Sequence, residues 1–242
     1  MTPPRALLVS LREPTDAMAH HERGCFAEAA GLPVGHIVVH PMIDGPLTQS
    51  HLHNIDAVFF GGSGAFSVLD DVPWIHAGRD ALRRVVDARR PAWASCFGFQ
   101  GLALALGGEV VRDDARQELG STWLHLTDAG RADPLTGALP ASFWGQEGHH
   151  DHVTRLPEGV LRLATGEVSP EQAFRVDGAP FWASQFHPEL TVARTVDRFI
   201  YYRTHYFQGD PAAADALQAQ LEAGEDTPGV RDLLRRLAWG TY

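Results

Sequence analysis

The sequence predicts an α/β protein with three layers, in which a mostly parallel central sheet carries helices on both faces. Short apolar runs alternate along the chain with segments of helical periodicity, which is the order expected of strands joined by helical crossovers. The chain has 242 residues, of which 44% are hydrophobic, so it is long and apolar enough to bury one large core.

The individual elements follow from these patterns. Apolar runs predict strands at Ala6–Val9, Gly35–His40, Ala57–Phe60, Ala92–Ser95, Val160–Thr165 and Ala173–Val176. Helical periodicity predicts helices at Ala17–Ala30, Ile75–Ala88, Gln100–Leu106 and Val192–Phe207. Between Glu109 and Trp144 the pattern is typical of hairpins. Because open α/β sheets carry their sites at the ends of strands, residues that follow strands are the first candidates for chemistry.

The chain divides into a domain over residues 1–208 and a helical tail over residues 209–242. The tail contains two short amphipathic helix candidates, Ala212–Ala223 and Val230–Trp239, and the second has an apolar face. We expect the tail either to pack on the domain or to form a dimer contact, and the second alternative predicts a homodimer.

Composition excludes several functional classes. The net charge is −10 and no basic run occurs, which argues against nucleic acid or an anionic membrane as the main partner. All 20 positive charges are arginines, so a Walker A lysine, a Schiff-base lysine and a pyridoxal phosphate anchor are excluded. We therefore expect no cofactor and no ATP-activating apparatus.

The chain also lacks the patterns of a membrane or secreted protein. No stretch approaches the roughly 18–20 apolar residues of a membrane span. The N-terminal apolar run is too short for a signal peptide, and two cysteines do not make a disulfide framework. Cys25 lies in a helical pattern and is predicted to be a small buried residue. These observations predict a cytoplasmic protein.

The 13 histidines raise the question of a metal site, especially at His149-His150-Asp151-His152 and His51-Leu52-His53. Zinc sites need three or four ligands that converge from defined spacings. Adjacent histidines cannot easily face one ion, and neither cluster has a further partner at a diagnostic spacing. The sequence therefore predicts no metal site.

Cys96 is the strongest candidate for a catalytic residue. It lies between the predicted strand Ala92–Ser95 and an apolar helix, and the small residues Ser95 and Gly98 flank it. An abrupt turn from strand to helix exposes the residue at its tip, as in a nucleophile elbow. The N-terminus of the following helix would lower the pKa of the thiol and offer N–H donors to an oxyanion.

A thiolate nucleophile needs a base and a group that orients the base. A second apolar, aromatic run ends at His187, where Pro188 is expected to stop the strand. Glu189 follows the histidine by two residues, close enough to accept a hydrogen bond from its ring. Cys96, His187 and Glu189 are therefore the predicted catalytic residues.

Two further stretches accompany these motifs: Gly61-Gly62-Ser63-Gly64-Ala65-Phe66-Ser67-Val68 and Gly148-His149-His150-Asp151-His152-Val153. Together with Ser95-Cys96-Phe97-Gly98-Phe99-Gln100 and the His-Pro-Glu turn, they resemble the motifs of the class I, or triad, glutamine amidotransferases. The closest resemblance is to stand-alone proteins related to the amidotransferase domain of GMP synthase. The chain departs from the family pattern at Ser95 and His150, where glycine is usual.

The resemblance implies a flavodoxin-like fold and hydrolysis of the glutamine side-chain amide through a γ-glutamyl thioester. It implies an oxyanion hole made by the backbone N–H groups of Gly62 and Phe97. It also implies that Gln100 helps to bind glutamine or a γ-glutamyl small molecule, and that His149 and Asp151 line the substrate site.

Three functions remain open from the sequence. The chain is an amidotransferase subunit that delivers ammonia to a separate synthetase, a stand-alone γ-glutamyl hydrolase or peptidase with the same triad, or a noncatalytic regulatory module. Activity that requires a partner favours the first function, and strong glutaminase activity without a partner favours the second.

Overall fold

The computed structural model describes residues 2–13, 15–206 and 210–242. The strands of these residues are β1 (Ala6–Ser10), β2 (Ile37–Pro41), β3 (Ala57–Phe60), β4 (Ala92–Ser95), β5 (Glu109–Arg112), β6 (Glu118–Leu126), β7 (Ser142–His149), β8 (Asp151–Arg155), β9 (Val160–Thr165), β10 (Ala173–Val176) and β11 (Phe181–Ser184). The α-helices are α1 (Met18–Ala30), α2 (Pro73–Asp87), α3 (Phe97–Ala105), α4 (Asp128–Ala132), α5 (Val192–Tyr206), α6 (Pro211–Glu222) and α7 (Pro228–Ala238).

A nine-stranded sheet in the order β2-β1-β3-β4-β11-β10-β9-β6-β7 forms the central layer, and β5 pairs with β8 in a separate two-stranded sheet. The strands from β2 to β11 are parallel to one another, whereas the pairs from β11 to β7 are antiparallel. The predicted α/β class is confirmed, with parallel pairing concentrated in one half of the sheet.

The inner parallel strands are mostly apolar because both faces of this half of the sheet are covered. On β3, Phe59 packs in the core on the α1 and α7 side, and the next residue, Phe60, packs in the core on the α2 and α3 side. Leu8 and Leu7 of β1 divide between the two cores in the same way. Successive side chains of a strand point to opposite faces, so a strand between two helical layers needs an unbroken apolar run.

All six predicted strands occur, and β3, β4, β9 and β10 have the predicted bounds, whereas β1 extends to Ser10. The strand predicted at Gly35–His40 begins at Ile37, because residues 34–36 form a short 3₁₀ turn. The aromatic run before His187 forms β11, which ends at Ser184 and not at the histidine. The hairpin-like region contains β6 and β7, which pair antiparallel along their length.

The predicted helices also occur, with altered starts. Helix α2 begins at Pro73, a residue suited to the first position of a helix, where its missing N–H costs no bond. Helix α3 begins at Phe97, directly after the cysteine, and not at Gln100. Phe207, the predicted end of α5, lies outside the described residues. No helix in the described residues is both long and apolar enough to cross a membrane.

The tail helices contact the rest of the chain extensively. Helix α6 packs on α5 through an apolar cluster that includes Phe199 and Leu221. Helix α7 contributes Leu233, Leu234 and Leu237 to the core on the α1 side of the sheet. In the segment between α6 and α7, Asp226 accepts a hydrogen bond at 3.0 Å from the backbone N–H of Val192, at the start of α5. The homodimer stays a prediction.

Candidate active site

Cys96 occupies the turn between β4 and α3 in a strained backbone conformation. Its φ is 50° and its ψ is −102°, a region that residues with a side chain rarely adopt. Its N–H donates to Ser184 O at 2.8 Å, which ties the turn to β11. A Cβ on Gly98 would lie 3.0 Å from Phe60 Cβ and 3.1 Å from Ala94 Cβ, so only glycine fits without movement. The sulfur lies at the head of a helix, as the sequence predicts.

His187 and Glu189 form a buried hydrogen-bonded pair beside this turn. His187 Nδ1 lies 2.7 Å from Glu189 Oε1, and the backbone N–H of His187 donates to Gln146 O at 2.8 Å. Because Nδ1 bonds to the carboxylate, Nε2 is the ring nitrogen left for chemistry. A Cβ placed on Gly62 would lie 3.2 Å from His187 Cε1, so the glycine-rich turn packs directly against the ring.

Two residues that the sequence analysis did not propose for the site hold Glu189. Ser95 Oγ donates to Glu189 Oε2 at 2.9 Å, and Arg198 Nη2 lies 3.6 Å from Glu189 Oε1. Burial would raise the pKa of Glu189, but His187 and Arg198 outweigh it and lower the pKa to about 2. The carboxylate is therefore ionised at neutral pH. Ser95 adjoins the cysteine in sequence, whereas nothing in the pattern of α5 singles out Arg198.

The electrostatics of Cys96 differ from the prediction. Burial, followed by the Glu147 and Glu189 carboxylates, raises the pKa of the thiol, although Arg198 and the Phe97 N–H act in the opposite direction. The prediction that the helix N-terminus leaves the thiol with a lowered pKa is therefore wrong. Desolvation and two nearby carboxylates outweigh one helix end. A base must remove the proton for the sulfur to attack.

Cys96 and His187 line one cavity of about 740 Å³. The other predicted site residues that line it are Gly62, Phe97, Gln100, His149 and Asp151. Glu189 is fully buried and lies behind His187. The structure thus brings together every residue that the sequence analysis proposed for the site.

The backbone of Gly62 is not free to hold an oxyanion in this arrangement. Its N–H donates to Glu22 Oε1 at 3.0 Å, and Glu22 is completely buried. Arg12 Nε lies 3.2 Å from the same carboxylate oxygen, and Arg198 Nη2 lies 3.8 Å from it. The Gly62 donor predicted from the sequence is therefore occupied, and it becomes available only if the bond to Glu22 breaks. No sequence signal marked Glu22, because its contact with the turn spans 40 residues.

Gln100, His149 and Asp151 support the wall of the cavity. Gln100 Nε2 donates to Asp151 O at 2.6 Å and to Gln185 Oε1 at 3.1 Å, which engages the amide nitrogen predicted to help bind substrate. His149 bridges Asp151 O at 2.9 Å and Glu118 Oε2 at 3.2 Å. The Asp151 carboxylate accepts a hydrogen bond from Ser67 Oγ. These bonds join α3, β6, β8 and the glycine-rich segment around the cavity.

The C-terminal helices also form part of the cavity wall. Phe199 and Tyr202 of α5 and Leu217 and Gln220 of α6 line it. The sequence analysis proposed no site residue in the tail over residues 209–242. Their contribution depends on the packing of α6 against α5, which no local pattern shows.

The histidine clusters have separate partners. His150 Nδ1 lies 3.0 Å from Asp114 Oδ1 near the surface, whereas His149 faces the buried Glu118. Within the described part of the chain, no three His, Cys, Asp or Glu side chains are arranged to hold a metal ion.

Comparisons with known proteins agree with this architecture. Residues 34–219 match the family model for glutamine amidotransferase class-I. A protein of Sulfolobus acidocaldarius named as one subunit of GMP synthase (glutamine-hydrolyzing) is 32% identical over 139 residues, which cover 57% of this chain and 70% of that protein. GMP synthase (glutamine-hydrolyzing) of Thermotoga maritima is 33% identical over 159 residues, which cover 64% of this chain but only 28% of that protein.

Solved structures show the same fold. A glutamine amidotransferase from Thermotoga maritima has a TM-score of 0.69 at 19% identity, and the match covers 97% of this chain and 98% of that one. Another, from Methylobacillus flagellatus, has a TM-score of 0.66 at 21% identity and covers 100% of this chain and 93% of that one. The resemblance identified from the sequence is thereby confirmed, and the chain belongs to the class I glutamine amidotransferase family.

Proposed function

We propose that this protein hydrolyses the side-chain amide of glutamine, with Cys96 as nucleophile, His187 as general base and acid, and Glu189 as the residue that orients His187. The observation that carries the proposal is the pairing of His187 with ionised Glu189 at 2.7 Å, on the wall of the cavity that also contains Cys96. A noncatalytic module would have no need of a strained cysteine beside such a pair.

The first half of the reaction forms a thioester. His187 Nε2 takes the thiol proton as Cys96 Sγ attacks the γ-carbonyl carbon, and Glu189 stabilises the imidazolium that results. The developing oxyanion accepts a hydrogen bond from the Phe97 N–H. The Gly62 N–H becomes a second donor to the oxyanion when it gives up its hydrogen bond to Glu22. His187 then protonates the leaving nitrogen, the C–N bond breaks and ammonia departs.

The second half releases glutamate. His187 takes a proton from water as the water oxygen attacks the γ-glutamyl thioester. The C–S bond then breaks, and the sulfur regains its proton from His187. The raised pKa of the Cys96 thiol supports a mechanism in which the proton moves during attack, since little thiolate exists beforehand.

The ammonia passes to a separate synthetase in this proposal. Two similar proteins, from Sulfolobus acidocaldarius and Methanocaldococcus jannaschii, are named as subunits of GMP synthase (glutamine-hydrolyzing). The chain spans 28% of the length of the GMP synthase from Thermotoga maritima that it matches. The lack of lysine, and so of a Walker A motif, supports a division of labour in which another chain performs the activation.

A second candidate is a stand-alone γ-glutamyl hydrolase with the same triad. The observation that favours it is the wall that α5 and α6 build along the cavity, because this wall would enclose a γ-glutamyl substrate without help from a partner.

The test is the intact mass of the protein after treatment with the diazo-ketone analogue of glutamine, with and without excess glutamine. We expect a single adduct that glutamine blocks and that Cys96→Ala abolishes. Cys25→Ala is the matched control, because Cys25 is the other cysteine of the chain and does not line the cavity. No adduct on a Cys96 that still reacts with a small alkylating agent would contradict a glutamine site. Glutamine turnover with and without a synthetase then separates the two candidates.

A further inference from the structure

We infer that the catalytic cavity contains a subsite for an apolar leaving group. The protein would then hydrolyse γ-glutamyl amides whose amide nitrogen carries a neutral apolar substituent. This inference rests on the proposed triad chemistry and adds a substrate class to it.

The triad fixes the side of the cavity on which a leaving group lies. His187 must give its proton to the departing nitrogen, so any substituent on that nitrogen lies next to the histidine ring. Gly62 is the neighbour of the nitrogen that gives the proton, because a Cβ placed on Gly62 would lie 4.0 Å from His187 Nε2 and 3.9 Å from Arg12 Nη2. Arg12 Nη1 in turn donates a hydrogen bond to the hydroxyl of Tyr202, on α5, at 2.8 Å. The leaving group therefore faces α5.

The wall on this side is built from side chains of two helices. Phe199 and Tyr202 line the cavity from α5, and Leu217 and Gln220 line it from α6. Phe199 and Leu217 belong to the apolar cluster that joins the helices. Arg203 Nη1 also donates to Gln218 Oε1 at 2.8 Å across the same interface. The wall is thus held by packing within the chain.

The size of the cavity exceeds what glutamine requires. A volume of about 740 Å³ lies in the range of pockets that enclose drug-sized ligands. A single amino acid would leave most of this space empty. The remaining space can hold a substituent on the amide nitrogen.

The charges on this side disfavour an anionic substituent. The guanidinium of Arg12 is paired with Asp16 at 3.0 Å and Glu22 at 3.2 Å. The guanidinium of Arg198 lies 3.6 Å from Glu189 and 3.8 Å from Glu22. Since these two buried cations already face three carboxylates, a carboxylate on the leaving group would add a fourth negative charge beside them. An apolar amine gains burial without this cost.

The experiment compares γ-glutamyl benzylamide with γ-glutamyl methylamide, whose leaving groups are both alkylamines and differ mainly in size. Release of glutamate gives kcat/KM for each. We expect kcat/KM to be at least about tenfold higher for the benzylamide, because burial of much of a phenyl ring is worth that factor or more. γ-Glutamylglycine, with its anionic leaving group, should react more slowly than the benzylamide.

Two tryptophan variants of α6 locate the subsite. Leu217→Trp fills the space beside the leaving group, so we expect it to remove the preference for benzylamide over methylamide. Ala219→Trp adds the same side chain at an exposed position that does not line the cavity, and it should retain the preference.

Equal kcat/KM for the two amides in the unmodified protein would overturn the inference, whatever the stability of the variants. A preference that survives in folded Leu217→Trp would also overturn the placement of the subsite. Turnover of glutamine that depends on Cys96, without a benzylamide preference, would leave the proposed function standing. Failure of both labelling and turnover would refute the proposed function as well.

Discussion

The hydroxyl of Ser95 donates a hydrogen bond to Glu189 Oε2 at 2.9 Å, and both side chains are completely buried. Glu189 uses its other oxygen for His187. The residue that precedes Cys96 thus holds the carboxylate that pairs with His187, and the β4 turn and the His-Pro-Glu turn hold each other in place. Ser95 is a positioning residue in the proposed mechanism, since it acts through Glu189.

Replacement of Ser95 by alanine should lower kcat by about ten- to a hundredfold, because a hydrogen bond to a buried charge is worth roughly 1.5–3 kcal/mol. Loss of the donor also raises the pKa of Glu189. Activity should therefore be lost at a higher pH as the solution is acidified, and a kcat profile against pH would reveal this shift. Ser184→Ala removes another buried hydroxyl, which donates to Phe186 O at 2.6 Å, and should leave the acidic limb unchanged. An identical shift in both variants would contradict a specific role for Ser95.

Replacement of Cys96 by alanine should abolish amide hydrolysis with the fold intact. Without the sulfur no thioester forms, and the remaining groups have no nucleophile to activate. Glutamate release, measured alongside circular dichroism, checks both statements. Cys25→Ala should retain nearly full activity, because that cysteine is a buried residue of α1. Residual turnover above a few per cent in Cys96→Ala would count against the assigned nucleophile.

Replacement of Glu22 by glutamine should lower the free energy of unfolding by about 3–5 kcal/mol, as is usual when one partner of a buried ion pair is removed. The change leaves the buried Arg12 and Arg198 guanidiniums short of a negative charge. Urea unfolding measures the effect. Glu28→Gln is the matched control in the same helix, because its partners Arg194 and Arg231 are partly exposed, and it should cost about 1 kcal/mol or less. Equal losses would refute the special position of Glu22.

Replacement of Glu147 by glutamine should flatten the dependence of stability on pH between pH 5 and pH 8. Burial, and then the charge of Glu118, raises the pKa of Glu147 well above its usual value. An acid whose pKa rises on folding binds its proton more tightly when folded. Its favourable contribution is therefore complete below its unfolded pKa, about 4.3, and is lost as the pH rises toward the folded pKa.

Urea unfolding at the two pH values tests this expectation. Glu189 has a lowered pKa of about 2 and titrates below this window, so its contribution stays constant there. Glu158→Gln, at an exposed glutamate, is the control and should keep the slope of the unmodified protein. A slope that Glu147→Gln leaves unchanged would show that another group is responsible.

The sequence by itself determined the features that depend on neighbours in the chain. An apolar run followed by Cys96 and an apolar helix predicts a strained turn, because that geometry is set within a few residues. His187 and Glu189 are separated by two positions, so their hydrogen bond needs little more than a turn. The strands of the parallel half were found because burial on both faces requires unbroken apolar runs.

The tertiary structure alone decided the features that depend on distant segments and on burial. Ser95 meets Glu189 across 94 residues, and Glu22 meets Gly62 across 40 residues. The pKa of the Cys96 thiol is raised because desolvation and two carboxylates from other strands and turns outweigh the helix end. Helices α5 and α6 enclose the cavity through side chains that look like ordinary amphipathic positions in the sequence. Desolvation and long-range pairing arise only when the chain is folded. The sequence therefore located Cys96 as the candidate nucleophile, and the fold determined its electrostatic environment and the shape of its cavity.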